Sequence, residues 1–190
     1  MVLKYEESPA GCMEKACEIL ASGRLVILPT DTIYGISGIA PASAPLIYKC
    51  KGREEGKPFL RLIPFPEHYK LYTRDVIRPE ILGLWPGPFT FILRGLTGGT
   101  ISLRCPKDQW LRKLVENTGA PVFSTSVNFS GQPALQRIED IIGSFESKVA
   151  LIIDKGNCPD PEPSTIVDLT GSTPVILRQG AGIFPETLLG

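Results

Sequence analysis

Histidine is nearly absent from this chain: among 190 residues there is one, His68. A zinc site built on several histidines is thereby excluded, and a Ser-His-Asp triad would rest on that single imidazole. Net charge is missing too, because twenty Lys and Arg balance twenty Asp and Glu. A protein whose main task is to coat nucleic acid is usually basic, so any contact with a polyanion has to be local. The five cysteines form an odd set without a C-x-x-C pair, the pattern of a reducing compartment rather than of a disulfide framework. No run of about 18 apolar residues could span a membrane. The opening MVLKYEESPAG lacks the basic-then-apolar run of a signal peptide, so the expected location is the cytosol. Neither G-x-x-x-x-G-K-[ST] nor G-x-G-x-x-G occurs, and a nucleotide would have to be held by side chains from separate loops.

What is present is a globular composition, 43% hydrophobic and 21% charged. A chain of this length buries roughly 70% of the surface its unfolded form exposes, enough for a core without staples. Residues 9–22 read as a helix that Ser8 can cap, with Pro9 at its first position and Gly23 at its close. Met13, Ala16, Cys17, Ile19 and Leu20 recur on one face, so the cysteines here are core filler. Leu25 to Leu28 form a continuous apolar run, as a strand buried on both faces requires. Further strands are expected at 59–63, 89–93, 100–104, 122–125, 149–153, 165–169 and 175–178. Helices are expected at 44–51 with Gly52 as stop, and at 75–84, 109–118 and 137–145. Strands and helices interleave with no composition break, which predicts one α/β domain over residues 1–190 with a mixed, twisted sheet.

Four polar segments follow apolar strands or border them, where ligand sites of open α/β sheets gather. Pro29 to Gly35 (PTDTIYG) brings two threonine hydroxyls and a tyrosine off a buried strand; a Ser/Thr/Asp turn capping that strand explains it equally. Residues 49–61 hold five cations and two acids, and Lys51 and Arg53 flank Gly52 so that both can reach one polyphosphate. A solvated helix end, its cations favoured by the helix dipole, is the plainer account. Ser124 to Gly131 offers four hydroxyls and the Asn128 amide; with no G-x-S-x-G elbow these are binders rather than nucleophiles. Arg104, the Pro163-Ser164-Thr165 turn and Arg178 close apolar strands, either capturing anions at the sheet or snorkelling to solvent. His68 reads as a surface helix residue.

In order along the chain, PTDTIYG, KGR, KP, WPGPFT, LRCP, STSVNFSG, PSTIVDL and ILRQGAG resemble the YrdC family of threonylcarbamoyl-AMP synthases, over about residues 10 to 182. The most specific signatures are K-x-R (Lys51-Gly52-Arg53) and S-x-N (Ser126-Val127-Asn128). The resemblance implies a YrdC-like α/β fold: a twisted, open mixed sheet with flanking helices around a deep, positively lined cavity. It implies the joining of L-threonine, bicarbonate and ATP into threonylcarbamoyl-AMP and pyrophosphate, with Mg²⁺ carried on the ATP and no metal site of the protein's own. The product feeds threonylcarbamoyladenosine formation at tRNA position 37 through a separate transferase complex. By resemblance Thr32 touches the threonine and Arg104 binds its carboxylate, with Ser124 and Ser164 on the same side. Lys51 and Arg53 are the catalytic pair on the phosphates. Lys57, Thr100, Ser126, Asn128, Ala134 and Arg178 line the ATP side. Bulk water, bicarbonate and Asp31 are the candidate bases for the amine. A tRNA- or double-stranded-RNA-binding module of the same fold is the alternative, which the zero net charge and the lack of an RRM or KH signature disfavour. Carbamoyl-AMP formation, as in larger maturation proteins with a YrdC-like domain, ranks last because this chain has no room for their further domains.

Overall fold

A computed structural model describes residues 1–54, 56, 58–158 and 162–189. Its strands are β1 (Val2–Lys4), β2 (Val26–Leu28), β3 (Gly35–Ile39), β4 (Leu60–Leu62), β5 (Phe89–Arg94), β6 (Thr100–Arg104), β7 (Val122–Ser126), β8 (Leu151–Asp154), β9 (Thr165–Asp168) and β10 (Val175–Arg178). They form one sheet in the order β1-β8-β2-β3-β7-β4-β6-β5-β9-β10. Pairing is mixed: β8 is parallel to β1 and β2, β6 to β4 and β9 to β5, and the other neighbours are antiparallel.

The helices are α1 (Pro9–Ala21), α2 (Ala44–Lys51), α3 (Pro79–Leu82), α4 (Gln109–Asn117) and α5 (Ile138–Phe145). Ser8 accepts the Gly11 N–H at the start of α1, and Asp108 accepts the Leu111 N–H at the start of α4. Gly52 ends α2 in the left-handed region, φ 59° and ψ 40°, where a side chain would be strained. The expected helix over 75–84 shrinks to the single turn α3. The residue before a proline is pushed out of the helical region, and Arg78 before Pro79 is extended at ψ 139°. His68 sits in a 3₁₀ segment, Pro66–Leu71, half-buried with its ring 5.2 Å from that of Phe65. β1 and β3 were not expected; GISGI has neither an apolar run nor an alternation to announce a strand.

Three apolar clusters fix the layers. On one face α1 and α4 pack on Val26, Leu28, Leu62, Val122, Leu151 and Ile153. On the other, α2 and α5 pack on Ile27, Ile36, Phe123 and Ile152. Alternate residues of β2 and β8 thus enter opposite cores, which is why both strands are apolar throughout. A third cluster joins Ile81 of α3 and Tyr69 to Phe91, Leu93, Leu103 and Val167 at the far end of the sheet. Among the described residues no helix is long and apolar enough to cross a membrane.

Candidate functional site

The face that carries α1 and α4 continues past them over β6, β5, β9 and β10 without a covering helix. A cavity of about 580 Å³ lies there, completed by the loops after β2, α2 and β7. Strand alternation builds its floor. Ile101 and Leu103 of β6 enter the third cluster, so Ser102 faces the cavity, as does Arg104. β5 does the same with Thr90 between Phe89 and Phe91, and β9 with Ile166 beside Val167.

Arg104 is only 4% exposed. Its Nη2 donates to Asp31 Oδ1 at 2.8 Å, its Nη1 to Thr32 Oγ1 at 2.8 Å and its Nε to the Gly87 carbonyl at 3.4 Å. Burial lowers its pKa, and the Asp31 carboxylate pulls it back up. Two of the five guanidinium N–H groups remain for a ligand. The second oxygen of Asp31 accepts the Lys107 N–H at 2.8 Å. The adjoining hydroxyls have a fixed polarity. Thr30 Oγ1 donates to the Ile33 carbonyl at 2.7 Å, so in the 3.0 Å contact between Thr30 Oγ1 and Thr32 Oγ1 the proton comes from Thr32. Thr32 therefore turns only an acceptor toward the cavity, suited to an amine.

Arg178 reaches the same hollow through a register shift. Val175 pairs with Asp168 and Ile176 with Val167, but Arg178 pairs with Ile166, the residue that lines the cavity. The extra residue, Leu177, turns Arg178 onto that face. The Arg178 guanidinium donates twice to the Ser164 carbonyl, from Nη2 at 2.7 Å and Nε at 3.1 Å. Burial lowers its pKa, and the neighbouring Arg104 charge lowers it further. Ser164 is buried, its hydroxyl 2.8 Å from that of Thr90. Ser124 is buried on β7, paired with Ser37 of β3, and Gly35 lies diagonally beside it: a Cβ there would lie 2.4 Å from the Ser124 hydroxyl.

Arg53 lines the opposite wall with its guanidinium over the Phe59 ring, 5.2 Å from the centroid. Ser126, Asn128 and Ala134 line it too. Lys51 does not. It is buried behind that wall, where Nζ donates to the Ser126 carbonyl at 2.5 Å and to Asn128 Oδ1 at 2.8 Å. Burial and the charge of Arg53 push its pKa down to about 8. The plainer account of this charge run, a solvated helix end, fails for Lys51. Arg104 does not snorkel to solvent as the alternative had it; Arg178 is exposed, but its guanidinium is held on the Ser164 carbonyl at the cavity.

Of the residues expected on the ATP side, Lys57 lies outside the described residues. Thr100 departs from expectation: it is exposed at the first position of β6, opposite Arg94, and the cavity reaches only as far as Ser102 on that strand. Thr30, one of the two hydroxyls of the Pro29–Gly35 segment, lines the cavity, as do Thr90, Ser102, Gln132 and Gln136, which were not singled out. The signal for Thr90 and Ser102 was the alternation of polar and apolar residues in their strands. Nothing in the sequence marked the two glutamines. Among the described residues no carboxylate lines the cavity, and no group of three or more His, Cys, Asp or Glu could hold a metal ion. Hydroxyls, amides and three guanidiniums make a site for anions.

The family described as "Telomere recombination", comprising Sua5, YciO and YrdC proteins, matches residues 18–180. A Pyrococcus abyssi protein named threonylcarbamoyl-AMP synthase is 32% identical, over 87% of this chain and 53% of its own length. A Mus musculus protein of the same name is 29% identical, over 88% of this chain and 71% of its own. The crystal structure of P. abyssi Sua5 complexed with L-threonine superposes with a TM-score of 0.83 at 25% identity, covering 95% of this chain and 57% of the other. The chain thus spans little more than half the length of the P. abyssi protein.

Proposed function

This chain belongs to the Sua5/YciO/YrdC family, and on that premise we propose that it is a threonylcarbamoyl-AMP synthase acting on L-threonine, bicarbonate and ATP. The observation that carries the reading is the pairing of two anion sites in one hollow. Arg104 keeps two N–H groups for a carboxylate beside Thr32, an acceptor for the amine. Arg53 and Arg178 flank the rest of the cavity with the hydroxyls of Ser126 and Ser164. An amino acid on the first and a triphosphate on the second would lie side by side.

The chemistry needs no enzyme nucleophile. The neutral amine of threonine adds to carbon dioxide released from bicarbonate, giving a carbamate. A carbamate oxygen attacks the α-phosphorus of ATP, and the bond to the β-phosphate oxygen breaks as pyrophosphate leaves. The protein contributes by holding two anions together and countering charge on the phosphates, and each well-placed donor is worth roughly 3 kcal/mol by analogy with oxyanion holes. Asp31 is not among the residues that line the cavity, so the amine proton passes to solvent or bicarbonate. Among the described residues the lining offers Mg²⁺ no carboxylate, which fits an ion that would enter with the triphosphate and offset its charge when bound. The product would serve threonylcarbamoyladenosine formation on tRNA through a separate transferase.

The test is to mix the protein with ATP, Mg²⁺, bicarbonate and each of several amino acids, and to identify the adenylate by mass spectrometry. Threonylcarbamoyl-AMP with pyrophosphate, lost in Arg53→Ala while the fold persists, is the expected result. Salt-dependent tRNA binding unaffected by ATP, with no adduct from any amino acid, would sink the synthase reading.

A further inference from the structure

Both halves of the K-x-R signature are cationic, yet the fold treats them differently. Arg53 lines the cavity, whereas Lys51, the last residue of α2, is 3% exposed and points into the wall behind it. Two of the three ammonium protons are engaged by oxygens of one loop, the Ser126 carbonyl and Asn128 Oδ1. The Lys51 carbonyl accepts the Ser130 N–H at 3.0 Å, so this single residue holds both ends of segment 126–130. Asn128 completes the knot. Its Oδ1 also accepts the Ser126 hydroxyl at 2.6 Å, and its Nδ2 donates to the carbonyls of Phe129 and Gln132. A buried ammonium without a carboxylate is tolerated only where dipoles surround its protons, and here those dipoles belong to the loop that carries Ser126.

We propose that Lys51 is a positioning residue: it buckles the 126–132 loop onto the end of α2 and so shapes the nucleotide side of the cavity, while Arg53 alone of the pair meets the bound anion. K-x-R and S-x-N are then one device, the lysine gripping the serine and asparagine from behind. The inference rests on the reading that the cavity takes ATP, but the buckle itself is measurable without any ligand.

The experiment compares wild type with Lys51→Met, Asn128→Ala, the double variant and Arg53→Ala. Hydrogen exchange of residues 126–132 is followed in the free protein, alongside Mg·ATP binding and steady-state kinetics. Losing a hydrogen bond to a charged group should speed exchange of the loop by about tenfold or more in each single variant. Because Lys51 and Asn128 act through one bond network, the double variant should be no looser than the worse single one. The loss should fall on KM for ATP more than on kcat or on KM for threonine. Arg53→Ala should lose ATP binding with a wild-type loop. Wild-type exchange in Lys51→Met together with lost ATP binding would overturn the buckle, as would effects of Lys51→Met and Asn128→Ala on ATP affinity that multiply in the double variant. If Lys51→Met does not fold, Asn128→Ala removes one acceptor from a half-buried position and still reports on the loop. Should wild type itself fail to bind ATP, the functional reading fails while the exchange data still decide the role of Lys51.

Discussion

The two ends of the sheet obey the same alternation with opposite consequences. At the β2/β8 end both faces are covered, by α1 and α4 on one side and α2 and α5 on the other, and the strands are apolar at every buried position. At the β6/β5/β9 end only one face is covered, and the uncovered face carries Thr90, Ser102 and Arg104. The change happens within one row of register neighbours: Val122 and Leu62 lie under the helices, and Arg104, directly beside Leu62, lies in the hollow. A site here is what a sheet presents where its helices stop, and single side chains decide whether a position serves the core or the cavity.

The comparison can be broken most severely at Arg104. Arg104→Met takes a buried cation from its half-buried partner Asp31, and breaking a buried pair costs roughly 3–5 kcal/mol, readable as a lower urea midpoint together with lost threonine-dependent turnover. At the covered end, Ile27→Ala should cost roughly 2–5 kcal/mol with turnover per folded molecule unchanged. Ser102→Leu should sharpen the contrast: stability within about 0.5 kcal/mol of wild type, because the side chain enters open space, but adduct formation blocked.

The smallest effect is expected from pH. The pKa of Lys51 is lowered to about 8 in the fold, so between there and its ordinary value the unfolded chain binds the proton that the folded chain has released, and stability should rise with pH across that window. The buried thiols of Cys12, Cys50 and Cys105, held protonated by desolvation, pull the other way once unfolded thiols ionise. The Lys51 contribution is therefore the difference between wild type and Lys51→Met, measured as urea midpoints across the alkaline range. An identical slope in both proteins would remove it.

Much of this architecture was legible before any coordinates. Ser8, Pro9 and Gly52 mark helix ends through local backbone chemistry, and the continuous run at β2 announced a strand with two covered faces. β3 was not legible. Gly35 is there to make room for the Ser124 hydroxyl and Gly38 for the Ser43 side chain, contacts with residues distant or adjacent in space that weaken the local strand signal. The helix expected over 75–84 failed because Pro79 overrides the apolar spacing before it. Among site residues, Arg53, Thr32 and Ser126 could be picked out from polar segments beside strands. Thr100 could not be separated from Ser102 and Arg104, since all three share one face of β6 and only the cavity's extent distinguishes them.

Most strands and helices apart from β1, β3 and α3, the caps of α1 and α2, and the polar segments that border apolar strands follow from neighbours a few residues away. Only the tertiary structure decided where the charged heads went. Arg178 faces the hollow because of a one-residue bulge at Leu177, and Lys51 faces the 126–132 loop because of where α2 ends against β7. Side-chain direction in a sheet follows register, and register is set by pairing between segments far apart in the chain, which no local pattern encodes.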